Sequence, residues 1–111
     1  KESRYIQEAH SIYTVVETEV AKYKATDNPS EDAIDNYIKD ILSGNTIATA
    51  DNNQLKGIIA KKTELDDVDV ERNGNTYKMY WISDDAHHIE AILTKNKDVK
   101  IVSTDSNHNF D

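Results

Sequence analysis

The chain has 111 residues, 37% of them hydrophobic and 31% charged, with 21 acidic against 13 basic side chains and a net charge of −8. That length supports one hydrophobic core rather than two, the composition is neither disordered nor collagen-like, and the charge repels a phosphate backbone, so no nucleic-acid partner is expected. Cysteine is absent, which excludes disulfides, thiol nucleophiles and Cys-type zinc or iron–sulfur sites.

Residues 1–25 are predicted to form a helix. Tyr5, Ile6, Ala9, Ile12, Tyr13, Val16, Val20 and Tyr23 recur at steps of three and four and cover one face, the pattern of an amphipathic helix. Arg4, Gln7, Glu8, Ser11, Thr14, Glu17, Thr18 and Lys22 fall opposite, as a solvated face would. Lys1-Glu2-Ser3-Arg4 carries neither proline nor a capping box, because Ser3 is followed three residues later by Ile6. A helix lacking its start signal is expected to continue upstream. The chain also opens on Lys1 rather than Met, as a processed product would. No stretch of the chain is long or apolar enough to span a bilayer.

Residues 26–66 form a connecting region predicted to hold short helices. Asn28-Pro29-Ser30-Glu31 offers an Asn cap held extended by the following Pro, with Pro at the first helical position and Glu where a capping box needs it. Ser30 is a rival cap. Ile34, Tyr37, Ile38, Ile41 and Leu42 continue the helical period, and Gly44 is expected to supply the left-handed residue that ends it. Asp51 with Gln54 could cap a further short helix through Leu55, Ile58 and Ile59, which Gly57 weakens by about 1 kcal/mol relative to Ala.

From Val68 the period changes to two, and residues 67–104 are predicted to form an antiparallel sheet of four strands. Val68 to Arg72, then Asn73-Gly74, then the run through Tyr77 and Trp81 read as a hairpin with a type I′ turn. A two-residue loop at Asn73-Gly74 pairs Val70 with Tyr77, Asp69 with Lys78 and Val68 with Met79. A third strand follows at His88 to Thr94 with Ile89, Ala91 and Leu93 inward, and a fourth at Val99 to Ser103. The fold class is therefore α+β, with the first helix as the second layer over the meander. Tyr80, Ile82, Ile92 and Val102 fall on the outer face, where a neighbouring subunit or the tail at 105–111 is expected to cover part of them.

No residue set points to catalysis, and neither a cofactor nor a metal ion is expected. His87 and His88 read as a turn histidine followed by a strand histidine, and adjacent side chains on a regular strand would point to opposite faces and not grip one ion; zinc sites gather three or four ligands. His10 and His108 have no partner at a useful spacing. Asp105 to Asp111 places oxygen side chains at alternate positions like the start of a calcium loop, but Phe110 stands where the turn needs Gly and no distal Glu follows. Asp66, Asp67 and Asp69, and the pair Asp84 and Asp85, sit in turns and strand edges rather than across a cleft. The three glycines build no phosphate loop, and no serine has a G-x-S-x-G setting.

The order of an uncapped amphipathic helix, a helical connecting region and a four-stranded meander resembles that of type IV pilins, over nearly the whole chain. Its most specific stretch, Arg4-Tyr5-Ile6-Gln7-Glu8-Ala9-His10-Ser11-Ile12-Tyr13, is similar to the helix that follows the membrane-spanning half in Gram-positive, clostridial-like pilins. The absence of cysteine resembles the same branch. The resemblance implies a pilin-like fold and a missing N-terminal apolar helix, cleaved by a prepilin peptidase, which is the only membrane contact expected. It implies copies of itself and related pilins as partners in an extracellular, cell-surface filament serving adhesion, motility or biofilm formation. Tyr5, Ile6, Ala9, Tyr80, Ile82 and Ile92 are then candidates for the assembly interface, while Ile12 to Val20 anchor the sheet. A secretion pseudopilin or a secreted surface-binding module using the outer face are the alternatives.

Overall fold

A computed structural model describes residues 2–44, 57–94 and 96–107. In chain order it contains α1 (Glu2–Asp27), α2 (Glu31–Tyr37) continued by one π-helical turn (Ile38–Leu42), α3 (Ile58–Thr63), and strands β1 (Asp66–Asn73), β2 (Thr76–Ile82), β3 (His88–Leu93) and β4 (Val99–Ser103). The strands form one antiparallel sheet in the order β1-β2-β3-β4. The molecule is thus α+β, a long helix against a four-stranded meander.

The stripe of α1 supplies the upper half of the core. Tyr5, Ala9, Ile12, Val16 and Val20 are all buried and pack against Met79, Trp81, Ile89, Ala91 and Leu93 from the inner face of the sheet. Ile34, Ile38 and Leu42 close the same cluster from the side. Their steps of four suit the wider π turn, which keeps Ile38 and Leu42 on the buried side where a strict α-helix would rotate them gradually away. Fully burying side chains of this size stabilises by about 1.5–3 kcal/mol each, so the stripe is the main attachment of α1.

Several local expectations are corrected. Ser30, not Asn28, caps α2: its Oγ accepts from the Ala33 N–H at 3.1 Å. Asn28 adopts a left-handed conformation, φ 48°, which Asn tolerates and which ends α1. Glu31 therefore stands at the first helical position, where its charge favours the helix dipole, rather than in a capping box. Gly44 does not terminate the helix as a left-handed cap. Ser43 is the residue after the π turn, in extended conformation, and Gly44 with φ 128° bridges to Val68. The Ser43 hydroxyl donates to the Ile38 carbonyl at 2.9 Å and accepts from the Val70 N–H at 3.0 Å, so this pair seals part of the β1 edge, where bare strand groups would otherwise be exposed. Gly57 lies at the N-cap of α3 with φ 83°, not inside a helix. The expected cap Asp51–Gln54 and Leu55 lie outside the described residues.

The hairpin forms with a different register. Asn73 pairs with Thr76, Arg72 with Tyr77, Glu71 with Lys78 and Val70 with Met79, so the loop is Gly74-Asn75. Gly74 has φ 64° and Asn75 has no positive φ, whereas a type I′ turn needs both. Sliding the loop by one position moves the pairing by two, which keeps Val70, Tyr77 and Met79 on the inner face. The opposite-charge pair across the outer face is consequently Glu71–Lys78, not Asp69–Lys78. β1 also carries a bulge between Asp66 and Asp69, with Asp67 at φ 51°. The inward set Ile89, Ala91 and Leu93 and the limits of β4 agree with expectation.

Candidate functional site

The polar groups that α1 brings to the sheet lie along a seam. Tyr5, in the first turns, donates its hydroxyl to Asp85 Oδ2 at 2.8 Å. One turn on, Glu8 accepts from Trp81 Nε1 at 2.8 Å and from Ser83 Oγ at 3.1 Å. Further along, Glu17 accepts from the Tyr77 hydroxyl at 2.9 Å. Glu19 is 8% exposed and meets Lys62 Nζ at 3.0 Å and Lys22 Nζ at 3.4 Å. Glu8 and Glu17 were expected on a solvated face; Glu8 is instead half-buried beside the stripe, while Glu17 stays exposed and still reaches Tyr77. A buried indole N–H needs an acceptor, and Glu8 supplies it.

These contacts set the titration of the seam. Burial, then the hydrogen bond to Glu17, pushes the Tyr77 phenol well above its ordinary value. Burial works to raise Glu19, but the hydrogen bond and charge of Lys62, helped by Lys22, outweigh it and hold the carboxyl below its ordinary value. Asp85 is likewise held low, its desolvation outweighed by the Tyr5 hydroxyl and the His87 N–H. Glu19 and Asp85 are thus favoured in their ionised forms and Tyr77 in its protonated form, the states that these hydrogen bonds require.

The candidate assembly residues separate into two sets. Tyr5 and Ala9 lie in the core, at 3% and 0% exposure, and Tyr80 is buried at 2% exposure on the outer face of the sheet. Ile6, Ile82 and Ile92 are half-buried and reach the surface, and Val102 is 47% exposed. Ile92 stands on the outer face between Lys78 of β2 and Lys100 of β4. Tyr80 shares that face, its hydroxyl 2.6 Å from His88 Nδ1, and burial followed by the charges of Asp67 and Asp69 raises its phenol. The tail meets the sheet here: the Ser106 N–H donates to the His88 carbonyl at 3.0 Å, and its Oγ to Glu90 at 2.9 Å.

His10, His87 and His88 are exposed and lie apart from one another's faces, and among the described residues no group of three or more His, Cys, Asp or Glu could hold a metal ion. Shallow depressions flank α1. One of about 570 Å³ is lined by Arg4, Gln7, Glu8, Ser11, Thr63, Leu65 and Asp84; another of about 230 Å³ lies by the hairpin tip, among Tyr13, Glu17, Lys24, Arg72, Asn75, Tyr77 and Thr94. In the first, Glu8 is engaged by Trp81 and Ser83; in the second, Glu17 is engaged by Tyr77. Arg72 is held too, with Nη1 on Asp35 at 2.6 Å and Nη2 on Glu31; burial works against its charge, but the two carboxylates outweigh it and favour the ionised form.

No known protein family, curated protein or solved structure is significantly similar to this chain. Its surfaces must therefore be interpreted from their own chemistry. The described helices include none long and apolar enough to cross a membrane.

Proposed function

We propose that the chain is the outward-facing globular part of a type IV pilin, a structural subunit that polymerises rather than catalyses. The observation that carries this reading is α1. It is a 26-residue helix that runs unbroken into the domain, buries a single stripe from Tyr5 to Val20, and is fixed to the β2–β3 turn in its first turns through Tyr5 and Glu8. A helix held this rigidly at its N-terminal end transmits the position of whatever precedes it to the whole domain. The helical connecting region and the β1-β2-β3-β4 meander follow in the order a pilin-like fold has. Under this reading Ile6, Ile82 and Ile92 are the surface residues available for contacts between subunits at the cell surface.

The coding sequence upstream of Lys1 tests the proposal. About twenty consecutive apolar residues, enough to cross a bilayer as a helix, are expected directly in phase with α1 behind a short basic leader. A polar or independently folded upstream segment overturns it. The half-exposed outer face around Ile82, Ile92 and Val102 supports a second reading, a secreted binding module, which that second outcome would favour.

A further inference from the structure

Six tyrosines are distributed over the chain, and their surroundings differ in one respect that bears on chemistry. Tyr5, Tyr77 and Tyr80 are buried, each with its hydroxyl on a named partner: Asp85, Glu17 and His88. Tyr13 meets Tyr77 edge-on, at 5.5 Å and 87°. Tyr23, near the end of α1, and Tyr37, the last residue of α2, instead lie face to face, with ring centroids 4.4 Å apart and planes inclined by 28°. Both rings are half-buried, so they reach the solvent while remaining packed against the core.

We propose that Tyr23 and Tyr37 form an oxidative cross-linking site, which a peroxide-driven one-electron oxidant converts to an intramolecular dityrosine. Removing one electron and one proton from each phenol gives two tyrosyl radicals, whose unpaired spin is shared with the ring carbons beside the oxygen. A carbon–carbon bond then forms between one such carbon of each ring. Each coupled carbon passes its hydrogen to its own ring oxygen, restoring both phenols. In sum, one hydrogen peroxide takes up the two hydrogens and leaves as two waters. The centroids, 4.4 Å apart, are already at about the separation of two directly bonded six-membered rings, and coupling requires the stacked rings to turn edge to edge. The perpendicular Tyr13–Tyr77 pair lacks this arrangement, and Tyr77 is 8% exposed.

The product ties the C-terminal end of α1 to that of α2. It supplies a covalent staple of the kind that cysteine would give elsewhere and that this cysteine-free chain lacks, acting by restricting the unfolded chain as a disulfide does. The inference is independent of the pilin reading, since it rests on ring geometry alone.

The test treats the dilute chain with hydrogen peroxide and a haem peroxidase. Expected are monomeric product lighter by two hydrogens, dityrosine fluorescence, and a tryptic species joining residues 23–24 to residues 25–39, with a raised melting temperature. Tyr23→Phe and Tyr37→Phe, which keep the ring packing, should each abolish that species, while Tyr13→Phe leaves it unchanged. Unfolding the chain in urea before oxidation should also remove the selectivity. Failure of the intramolecular product to form, its persistence in Tyr37→Phe, or coupling only between molecules would overturn the proposal.

Discussion

Glu8 shows how a single side chain changes role between sequence and structure. On a helical projection it belongs to the solvated side, yet its carboxylate takes the N–H of Trp81, a residue with 0% exposure, together with the Ser83 hydroxyl. The consequence is asymmetric. Glu8→Leu leaves a buried indole N–H and a hydroxyl without their acceptor, and a buried donor stranded in this way costs about 1–3 kcal/mol. Glu8→Gln keeps a carbonyl acceptor in the same place and should lose well under half as much. Urea unfolding of the two variants separates them; equal midpoints would mean that Glu8 contributes only its aliphatic packing. Glu19 belongs with it as a residue that the pattern of apolar positions could not reveal. Its neighbours Lys22 and Lys62 lie three and forty-three positions away, and the second depends on where α3 docks.

At the level of elements, the parts governed by period alone were legible. The α1 stripe, the inward residues of β3 and the extent of β4 follow from spacing, because a wrong phase would expose several large apolar side chains at once. What escaped were features on which the apolar pattern is silent. Asn73-Gly74 can form the loop itself, or Asn73 can end the strand; both place Val70 and Tyr77 inward, so binary patterning cannot choose. Asn28 and Ser30 both cap helices, and only the left-handed backbone of Asn28 shows that it finishes α1. The ends of α3 give this a measurable form. Gly57 precedes it at φ 83° and Glu64 follows it at φ 63°, both left-handed, a region that costs an ordinary residue about 1–2 kcal/mol. Glu64 is exposed, so Glu64→Gly should stabilise the domain, by up to about 1 kcal/mol after the entropy of the added glycine is subtracted. Gly57→Ala should destabilise it by a similar amount or more. Thermal unfolding midpoints moving in the same direction for both would rule out left-handed strain as the common cause.

For the whole molecule, the question is whether the outer sheet face holds the domain together or holds domains to one another. Most hydrophobic-to-charged changes cannot decide this, because they damage both. Ile92 offers an exception. It is half-buried on the outer face and paired in register with Lys78 on one side and Lys100 on the other, so Ile92→Glu sets a carboxylate between two ammonium groups. Opposite charges directly across strands contribute roughly 0.2–1 kcal/mol each, enough to offset the lower strand propensity of Glu. The isolated domain should therefore unfold within about 0.5 kcal/mol of the parent, the range of an ordinary surface substitution. On the proposed filament-subunit reading, the same change puts a charge in the centre of the face formed with Ile82 and Val102, where a buried subunit contact would have to desolvate it. If the face packs against neighbouring subunits, Ile92→Glu abolishes or sharply reduces filaments seen by electron microscopy while the monomer melts unchanged, and Ile92→Val, which keeps the contact apolar, retains them. Normal filaments from Ile92→Glu would remove the outer face from the proposed assembly and leave Ile6 and the exposed side of α1 as the candidate surface for it.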